Sequence, residues 1–304
     1  MNSNRKPLIL YVPGLLPKPE PAIHRHELFR CLREGVRRID EHCADALGDG
    51  SQCFDIVGWT YDFYGEHRDE ALDRAAIDRL LQKDGASAAD RKEADSLRRR
   101  TIRSIYRAVD RLPFLIPYFA DEKLEIHLRD LRRYVRNEFD VADAIRRMLK
   151  IPLRAAASAG RPILLIGHSM GSVVAYDALW QLGRKQQEDV SIDLFLTMGS
   201  PLGQRYIQQR LLDSKAKDED RYPNNIRRWI NIAAVGELTA IDTQLANDFA
   251  AMVERGLVEP IDDRLAFNWF RLDRVLNVHA EYGYLVNEVT ASVVCDWWRR
   301  VTAG

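Results

Sequence analysis

Short apolar runs of strand length recur along the chain, and segments with a helical pattern separate most of them. Near-continuous apolar runs of about five residues are typical of strands that are buried on both faces of a parallel sheet. Alternation of such strands with helices indicates α/β layering. The sequence therefore predicts an α/β fold in which helices flank a mostly parallel sheet, with strands at 8–12, 54–60, 163–166, 192–198 and 229–235.

The block 62–136 differs from the rest, because it has almost no strand pattern and carries many charged residues. We predict that it forms a helical cap inserted between two strands, so that 1–61 and 137–304 together form the core. Two prolines in its apolar segment 112–119 prevent an uninterrupted helix there. That segment either packs the cap onto the core or lines a path for substrate. The basic residues in the second half of the block are interpreted as a solvated helix surface rather than as a lipid-binding site.

Charge and cysteine content narrow the class of protein. Basic and acidic residues number 45 each, so the formal net charge is zero, whereas nucleic-acid binding proteins usually have a basic excess. No apolar run reaches the ~18 residues that span a membrane, and 8–12 is predicted to be a strand rather than part of a signal peptide.

The cysteines match neither a redox pair nor a zinc site, which predicts free thiols and a cytoplasmic location; they are Cys31, Cys43, Cys53 and Cys295.

The segment 162–179 carries the strongest functional pattern, PILLIGHSMGSVVAYDAL. A buried strand leads into Gly-His-Ser-Met-Gly, and a helical pattern follows at once. A serine on so tight a strand-to-helix turn needs small neighbours, since backbone passes close to it. The helix that follows points its N–H groups and positive dipole end at the place where negative charge would develop. Ser169 is therefore predicted to be a nucleophile, and the side chain of His168 is predicted to point away from the site and support packing.

This segment resembles the nucleophile elbow of the α/β-hydrolase superfamily, especially of its bacterial lipase- and esterase-like members. Residues 196–201, LTMGSP, resemble the strand and turn that follow the elbow in several lipase groups. Residues 277–285, NVHAEYGYL, resemble their histidine loop. The resemblance implies the α/β-hydrolase fold and a carboxylic ester hydrolase, whereas the block 62–136 has no counterpart in it.

The order of catalytic residues in that superfamily is serine, acid, histidine. Of the seven histidines only His279 follows Ser169, so the resemblance assigns His279 as the general base. The acid is expected in the loop after the strand 229–235. Glu237 is the leading candidate there and Asp242 is its rival, with Asp262 and Asp263 as further alternatives.

An oxyanion hole requires two backbone N–H groups. Met170, directly after the nucleophile, is predicted to supply one. The second is expected from the loop after the first strand, where Leu15 is the leading candidate and Leu16 the alternative. Many superfamily members have His-Gly where this chain has Pro13-Gly14, and proline has no N–H to donate.

These residues predict a serine hydrolase that cleaves carboxylic esters, of a small molecule or a lipid, through an acyl-enzyme at Ser169. Two alternatives stay open: an acyltransferase that uses the same residues with an alcohol in place of water, and a non-catalytic binding protein on a hydrolase fold. The sequence has no metal-ligand cluster, phosphate loop or dinucleotide fingerprint, so we predict neither a metal nor a cofactor. A homo-oligomer is compatible with the sequence.

Overall fold

Six parallel strands form one sheet in the computed structural model, which describes residues 6–97, 99–101, 122–237 and 243–303. For residues 122–128 the backbone alone is described. The strand order across the sheet is β2-β1-β3-β4-β5-β6. The strands are β1 Leu8–Val12, β2 Phe54–Ile56, β3 Ile163–His168, β4 Leu194–Met198, β5 Trp229–Ala234 and β6 Asp262–Ala266.

Helices cover both faces of this sheet. In the described ranges they are α1 Pro21–Ile39, α2 Glu41–Leu47, α3 Thr60–Tyr64, α4 Ala71–Leu81, α5 Ala88–Ala94, α6 Glu122–Val135, α7 Val141–Ser158, α8 Met170–Trp180, α9 Arg205–Gln208, α10 Leu245–Asp248, α11 Ala250–Glu254, α12 Glu281–Leu285 and α13 Glu288–Thr302. Shorter elements are a hairpin of β7 Arg271–Leu272 with β8 Val275–Leu276, 3₁₀ turns at Glu138–Asp140 and Asp218–Arg221, and a π turn at Gln181–Lys185.

Two apolar clusters, one on each face of the sheet, form the core. Alternate side chains of a strand point to opposite faces. Ile9 and Tyr11 of β1 accordingly pack into the cluster with α1 and α13, whereas Leu10 and Val12 pack into the cluster with α7 and α8. Because both faces are covered, every residue of β1, β3, β4 and β5 is buried. This arrangement is the α/β-hydrolase fold, which confirms the fold class predicted from the sequence.

Three of the predicted strands differ from the structure by one or two residues at one end, namely β3, β4 and β5. Two differences are larger. The strand predicted at 54–60 ends at Ile56, because α3 begins at Thr60. The edge strand β6 was not predicted, since its sequence DDRLA has no apolar run. An edge strand is exposed along one side, so it does not need the apolar pattern of a central strand.

In the block predicted to be a cap, the described helices are α4, α5, α6 and the greater part of α3. Helix α4 contacts α1 and β7, and α5 contacts β8. The apolar segment 112–119 lies outside the described residues. The division into a core and a cap stays a prediction.

Parallel strands bring their carboxyl ends to one edge of the sheet, which is where open α/β folds place their binding sites. Val12 at the end of β1 lies beside Gly167 of β3 in the strand register. The loops that follow β1, β3 and β5 therefore meet at one place.

Candidate active site

Ser169 lies in the turn between β3 and α8 with φ 51° and ψ −127°. This backbone conformation is rare for a residue with a side chain and is found mainly where a structure holds strain at a functional site. Two positions that pack against this turn have no room for a side chain and are therefore glycine. A Cβ at Gly171 would overlap the carbonyl oxygen of Val12, and one at Gly14 would lie 2.8 Å from Cβ of Ser169. The turn thus has the geometry of a nucleophile elbow.

The side chains of Ser169, His279 and Glu237 form a continuous hydrogen-bonded chain. Ser169 Oγ lies 2.9 Å from His279 Nε2, and His279 Nδ1 lies 2.8 Å from Glu237 Oε2. Because Nδ1 faces a carboxylate, that nitrogen carries the hydrogen, and Nε2 is left to accept the serine proton. Such a chain can activate a serine hydroxyl for attack on a carbonyl carbon.

Tyr284 holds the acidic end of this chain. Its hydroxyl accepts a hydrogen bond from the Ala234 N–H at 2.8 Å and donates one to Glu237 Oε2 at 3.2 Å. Gly199 makes room for it, because a Cβ there would lie 3.1 Å from both the Tyr284 hydroxyl and His279 Nδ1. Sequence reasoning missed Tyr284, although it lies five residues after His279 in the predicted histidine loop.

The carboxylates that were predicted as alternatives to Glu237 are not placed next to His279 in the described part of the chain. Asp242 lies outside the described residues. Asp263 lies in β6, where it accepts hydrogen bonds from the side chain of Asn231 and from the first amides of α10. Asp262 pairs with Arg264. Neither of these two described aspartates contacts His279.

Two amides stand next to the nucleophile at the predicted oxyanion hole. Met170 is the first residue of α8, and an amide at that position has no acceptor within its helix. The Leu16 N–H donates to the Tyr64 hydroxyl at 3.0 Å, so that amide is occupied. The Leu15 N–H has no hydrogen-bond acceptor in the described part of the chain. Of the two loop candidates, Leu15 is therefore the one whose amide is not already paired within the described part of the chain.

Glu281 is a buried carboxylate two residues after His279. It accepts hydrogen bonds from the Tyr11 hydroxyl at 3.0 Å, from Lys18 Nζ at 2.9 Å and from His24 Nε2 at 2.9 Å. Burial acts to raise the pKa of Glu281, but Lys18 and His24 outweigh it and hold that pKa well below its usual range. Lys18 belongs to the loop that contains Leu15. Glu281 consequently connects the loop that contains His279 to the loop that contains Leu15.

The side chain of His168 does not point away from the site, so that prediction was wrong. It lines the same pocket as Ser169 and its ring lies 4.8 Å from that of His279, centre to centre. His168 Nε2 donates to the backbone oxygen of His279 at 2.9 Å. Burial lowers the pKa of His168 to about 3, so the ring is neutral. His168 therefore supports the histidine loop through its hydrogen bond to the His279 backbone. The sequence pattern of a single strand does not reveal this contact.

The pocket above Ser169 has a volume of about 250 Å³. Its wall combines apolar residues such as Leu15, Leu16 and Phe270 with the charged residues Lys18 and Arg68.

Within the described ranges no group of three or more metal-ligating side chains is present. No described helix is long and apolar enough to cross a membrane. All four cysteines are free and buried, as predicted, while the cytoplasmic location stays a prediction.

The model of the lecithin:cholesterol acyltransferase family matches residues 123–214. This stretch, under a third of the chain, contains β3, the elbow with Ser169, α8 and β4, and it ends before Glu237 and His279. No curated protein and no solved structure matches the chain. The chain is thus similar to a family of lipid-acting serine enzymes over the segment that carries the candidate nucleophile. The match does not favour the bacterial members to which the sequence was compared.

Proposed function

We propose that the protein is a serine enzyme that cleaves carboxylic esters of lipids through an acyl-enzyme at Ser169. The observation that carries the proposal is the hydrogen-bonded chain from Ser169 through His279 to Glu237. A binding protein on the same fold would have no need to align a serine, an imidazole and a buried carboxylate within hydrogen-bonding distance.

In the proposed reaction Ser169 Oγ attacks the ester carbonyl while His279 Nε2 takes the hydroxyl proton. Glu237 stabilises the imidazolium that forms. The amides of Met170 and Leu15 donate to the oxyanion of the tetrahedral intermediate. His279 then gives its proton to the leaving alcohol, and the acyl group stays on Ser169. Water, activated by His279, attacks the acyl-enzyme and releases the acid.

Two observations support a lipid as the source of the ester. The family match is to lecithin:cholesterol acyltransferase, and apolar residues form part of the pocket wall. The same match favours a second candidate function, transfer of the acyl group to an alcohol. The two reactions share every step up to the acyl-enzyme and differ in whether water or an alcohol attacks it.

A fluorophosphonate probe tests the proposal, because it reacts with a serine only when a base activates the hydroxyl. We expect labelling of Ser169 in the native protein and none in Ser169→Ala. Ser158→Ala is the control, since it removes an exposed serine hydroxyl at the end of α7 and should still label. A folded native protein that does not label would contradict the proposal.

Substrate and product analysis then separates the two reactions. A series of p-nitrophenyl esters of increasing acyl length gives the preferred chain. With the preferred ester, an added long-chain alcohol should capture the acyl group only if the enzyme is an acyltransferase. Free acid as the sole product at saturating alcohol would assign the hydrolase.

A further inference from the structure

Four arginines in the last two turns of α6 and directly after it line a second cavity, with a volume of about 470 Å³. Arg132 and Arg133 are adjacent, and each lies three or four residues from Arg129 and from Arg136, so the four form a broad stripe at this end of the helix. The other residues of the wall are Tyr64, Asp130 and Glu138. We refer to this site as the arginine pocket.

The carboxylates of the arginine pocket leave positive charge unbalanced. Asp130 is buried and already accepts hydrogen bonds from the Tyr64 hydroxyl at 2.9 Å and from Arg129 Nε at 3.1 Å. Glu138 lies 4.0 Å from the exposed guanidinium of Arg136, at the limit of an ion pair. Arg132 is exposed and has no ion pair within the described ranges. Two guanidinium groups are therefore available to a ligand.

The shape of those groups selects the ligand. A guanidinium presents parallel N–H donors that match two oxygens of a phosphate. Arg133 is held in place, since it donates to the backbone oxygen of Phe63 and stacks on the Phe63 ring at 4.4 Å. Because Arg133 is fixed in this way, Arg132 and Arg136 are the arginines of the stripe that can bind phosphate groups.

An exposed aromatic side chain stands directly beyond the stripe. Phe139 is 94% exposed and follows Arg136 by three residues. Its backbone has φ 55°, and its neighbours Asn137 and Asp140 have φ 51° and φ 58°. Such left-handed conformations are costly for residues with a side chain, and they persist where the surroundings demand them. The phenyl ring is exposed three residues after Arg136, with the carboxylates of Glu138 and Asp140 on either side of it in the chain. Exposed aromatic rings close to basic residues are typical of surfaces that lie on lipid headgroups.

The arginine pocket adjoins the candidate active site. Tyr64, in the wall of the arginine pocket, accepts the hydrogen bond from the Leu16 N–H. Leu16 in turn lines the pocket above Ser169 and is 45% exposed. This hydrogen bond joins a residue in the wall of one cavity to a residue in the wall of the other.

We propose that the arginine pocket binds the phosphate groups of an anionic phospholipid surface while Phe139 inserts among the acyl chains. This binding would bring the pocket above Ser169 to the lipid, which gives the proposed function its substrate class. The basic residues of this block were interpreted from the sequence as a solvated helix surface. The present proposal takes the alternative to that interpretation, because the structure adds the cavity and the exposed ring. The role given to this lipid binding rests on the proposed function. The binding itself can be measured without catalysis.

Vesicle sedimentation tests the binding, with Ser169→Ala as the parent protein so that no lipid is consumed. Vesicles of phosphatidylcholine with phosphatidic acid should bind the protein, and vesicles of phosphatidylcholine alone should bind it much less. Adding Arg132→Gln and Arg136→Gln should weaken binding roughly 30-fold, at about a factor of five for each cation near an anionic surface. Adding Arg255→Gln and Arg300→Gln instead removes the same charge from other exposed positions and should leave binding unchanged.

A third variant tests the aromatic contact. Phe139→Asn suits a left-handed backbone and should weaken binding to the anionic vesicles roughly fivefold, the effect expected for a ring about half buried in lipid. Circular dichroism and melting temperature should match the parent in all variants, because the changed side chains are exposed.

Three outcomes would overturn the proposal: equal binding to both kinds of vesicle, equal losses in the Arg132/Arg136 and Arg255/Arg300 variants, or release of the protein from vesicles by submillimolar inorganic phosphate. The last outcome would identify the pocket as a site for a free anion. Labelling of Ser169 by the fluorophosphonate probe is independent of these measurements. Failure of the lipid surface and failure of the proposed chemistry are thereby distinguished.

Discussion

Lys18 Nζ lies 2.9 Å from Glu281 Oε1, and this partly buried ion pair connects the loop that contains Leu15 to the loop that contains His279. The proposed reaction requires the Leu15 amide and the His279 imidazole to keep fixed positions relative to Ser169. Glu281 contacts both loops and can therefore position both groups.

Glu281→Gln should lower kcat ten- to hundredfold and change KM less than threefold. The substitution keeps the shape of the side chain but leaves Lys18 without its counter-charge, and a displacement of about 1 Å at catalytic groups costs on the order of 100-fold in rate. Loss of one partner of a buried pair also costs about 3 kcal/mol or more of stability. Kinetics and urea unfolding measure the two effects. Glu288→Gln, an exposed change at the start of α13, is the control, and equal results for both variants would contradict the role of Glu281.

Ser169→Ala should reduce kcat by about 10⁶, as loss of the nucleophile does in a comparable triad. His279→Ala should be nearly as damaging, and the double variant should be no worse than either single one, because residues that act as a unit are not additive. The measurement is ester hydrolysis by purified variants of equal melting temperature. Wild-type activity in His279→Ala would show that the base lies elsewhere.

Glu237→Gln should lower kcat by about 10⁴, the loss seen when an amide replaces the acid of a comparable triad and favours the wrong histidine tautomer. Asp242→Asn should have a much smaller effect. Rates and melting temperatures of the two variants decide between the acids. If Asp242→Asn loses the rate and Glu237→Gln keeps it, the assignment is reversed.

Tyr64→Phe should reduce kcat roughly tenfold with little change in KM. The missing hydroxyl releases the Leu16 N–H and lets the neighbouring Leu15 amide shift, a milder change than the 10²–10³ that removal of an oxyanion donor costs. Tyr61→Phe, on the same helix but exposed, is the control. A rise in KM at constant kcat would show instead that Tyr64 contributes to substrate binding.

Asp213→Asn should alter the pH dependence of stability. Burial raises the pKa of Asp213 to about 7, so between about pH 4 and pH 7 the folded protein holds a proton that the unfolded chain has released. Raising the pH through this window therefore favours unfolding of the native protein. The asparagine side chain of the variant carries no such proton. The free energy of unfolding of Asp213→Asn, relative to that of wild type, should therefore increase by about 1–3 kcal/mol from pH 4.5 to pH 8. Urea unfolding at the two pH values checks this, and an equal difference at both would refute it.

The elements that the sequence predicted well have local signals. An apolar run marks β1 and β3, and two glycines around Ser169 mark the turn that no bulkier residues could form. The edge strand β6 escaped prediction because its residues are polar. The cap stays a prediction, since its central segment lies outside the described residues.

The contacts that sequence reasoning missed join distant parts of the chain. The Leu16–Tyr64 bond spans 48 residues and the Lys18–Glu281 pair spans 263. A single sequence shows which residues could form such contacts but not which of them meet, because that depends on how the loops turn after each strand. His279 could be assigned because the superfamily's chain order restricts the choice to one histidine, whereas the acid loop offered several carboxylates.

The 263-residue separation of Lys18 from Glu281 also determines when the proposed activity can begin. During synthesis the amino-terminal strands and the elbow leave the ribosome well before the histidine loop. Ser169 therefore exists for a time as an ordinary alcohol, without a base to activate it. Contacts this distant along the chain form late, since a long loop must close first. Ester hydrolysis by a nascent or truncated chain would thus report whether the two ends of the molecule have met.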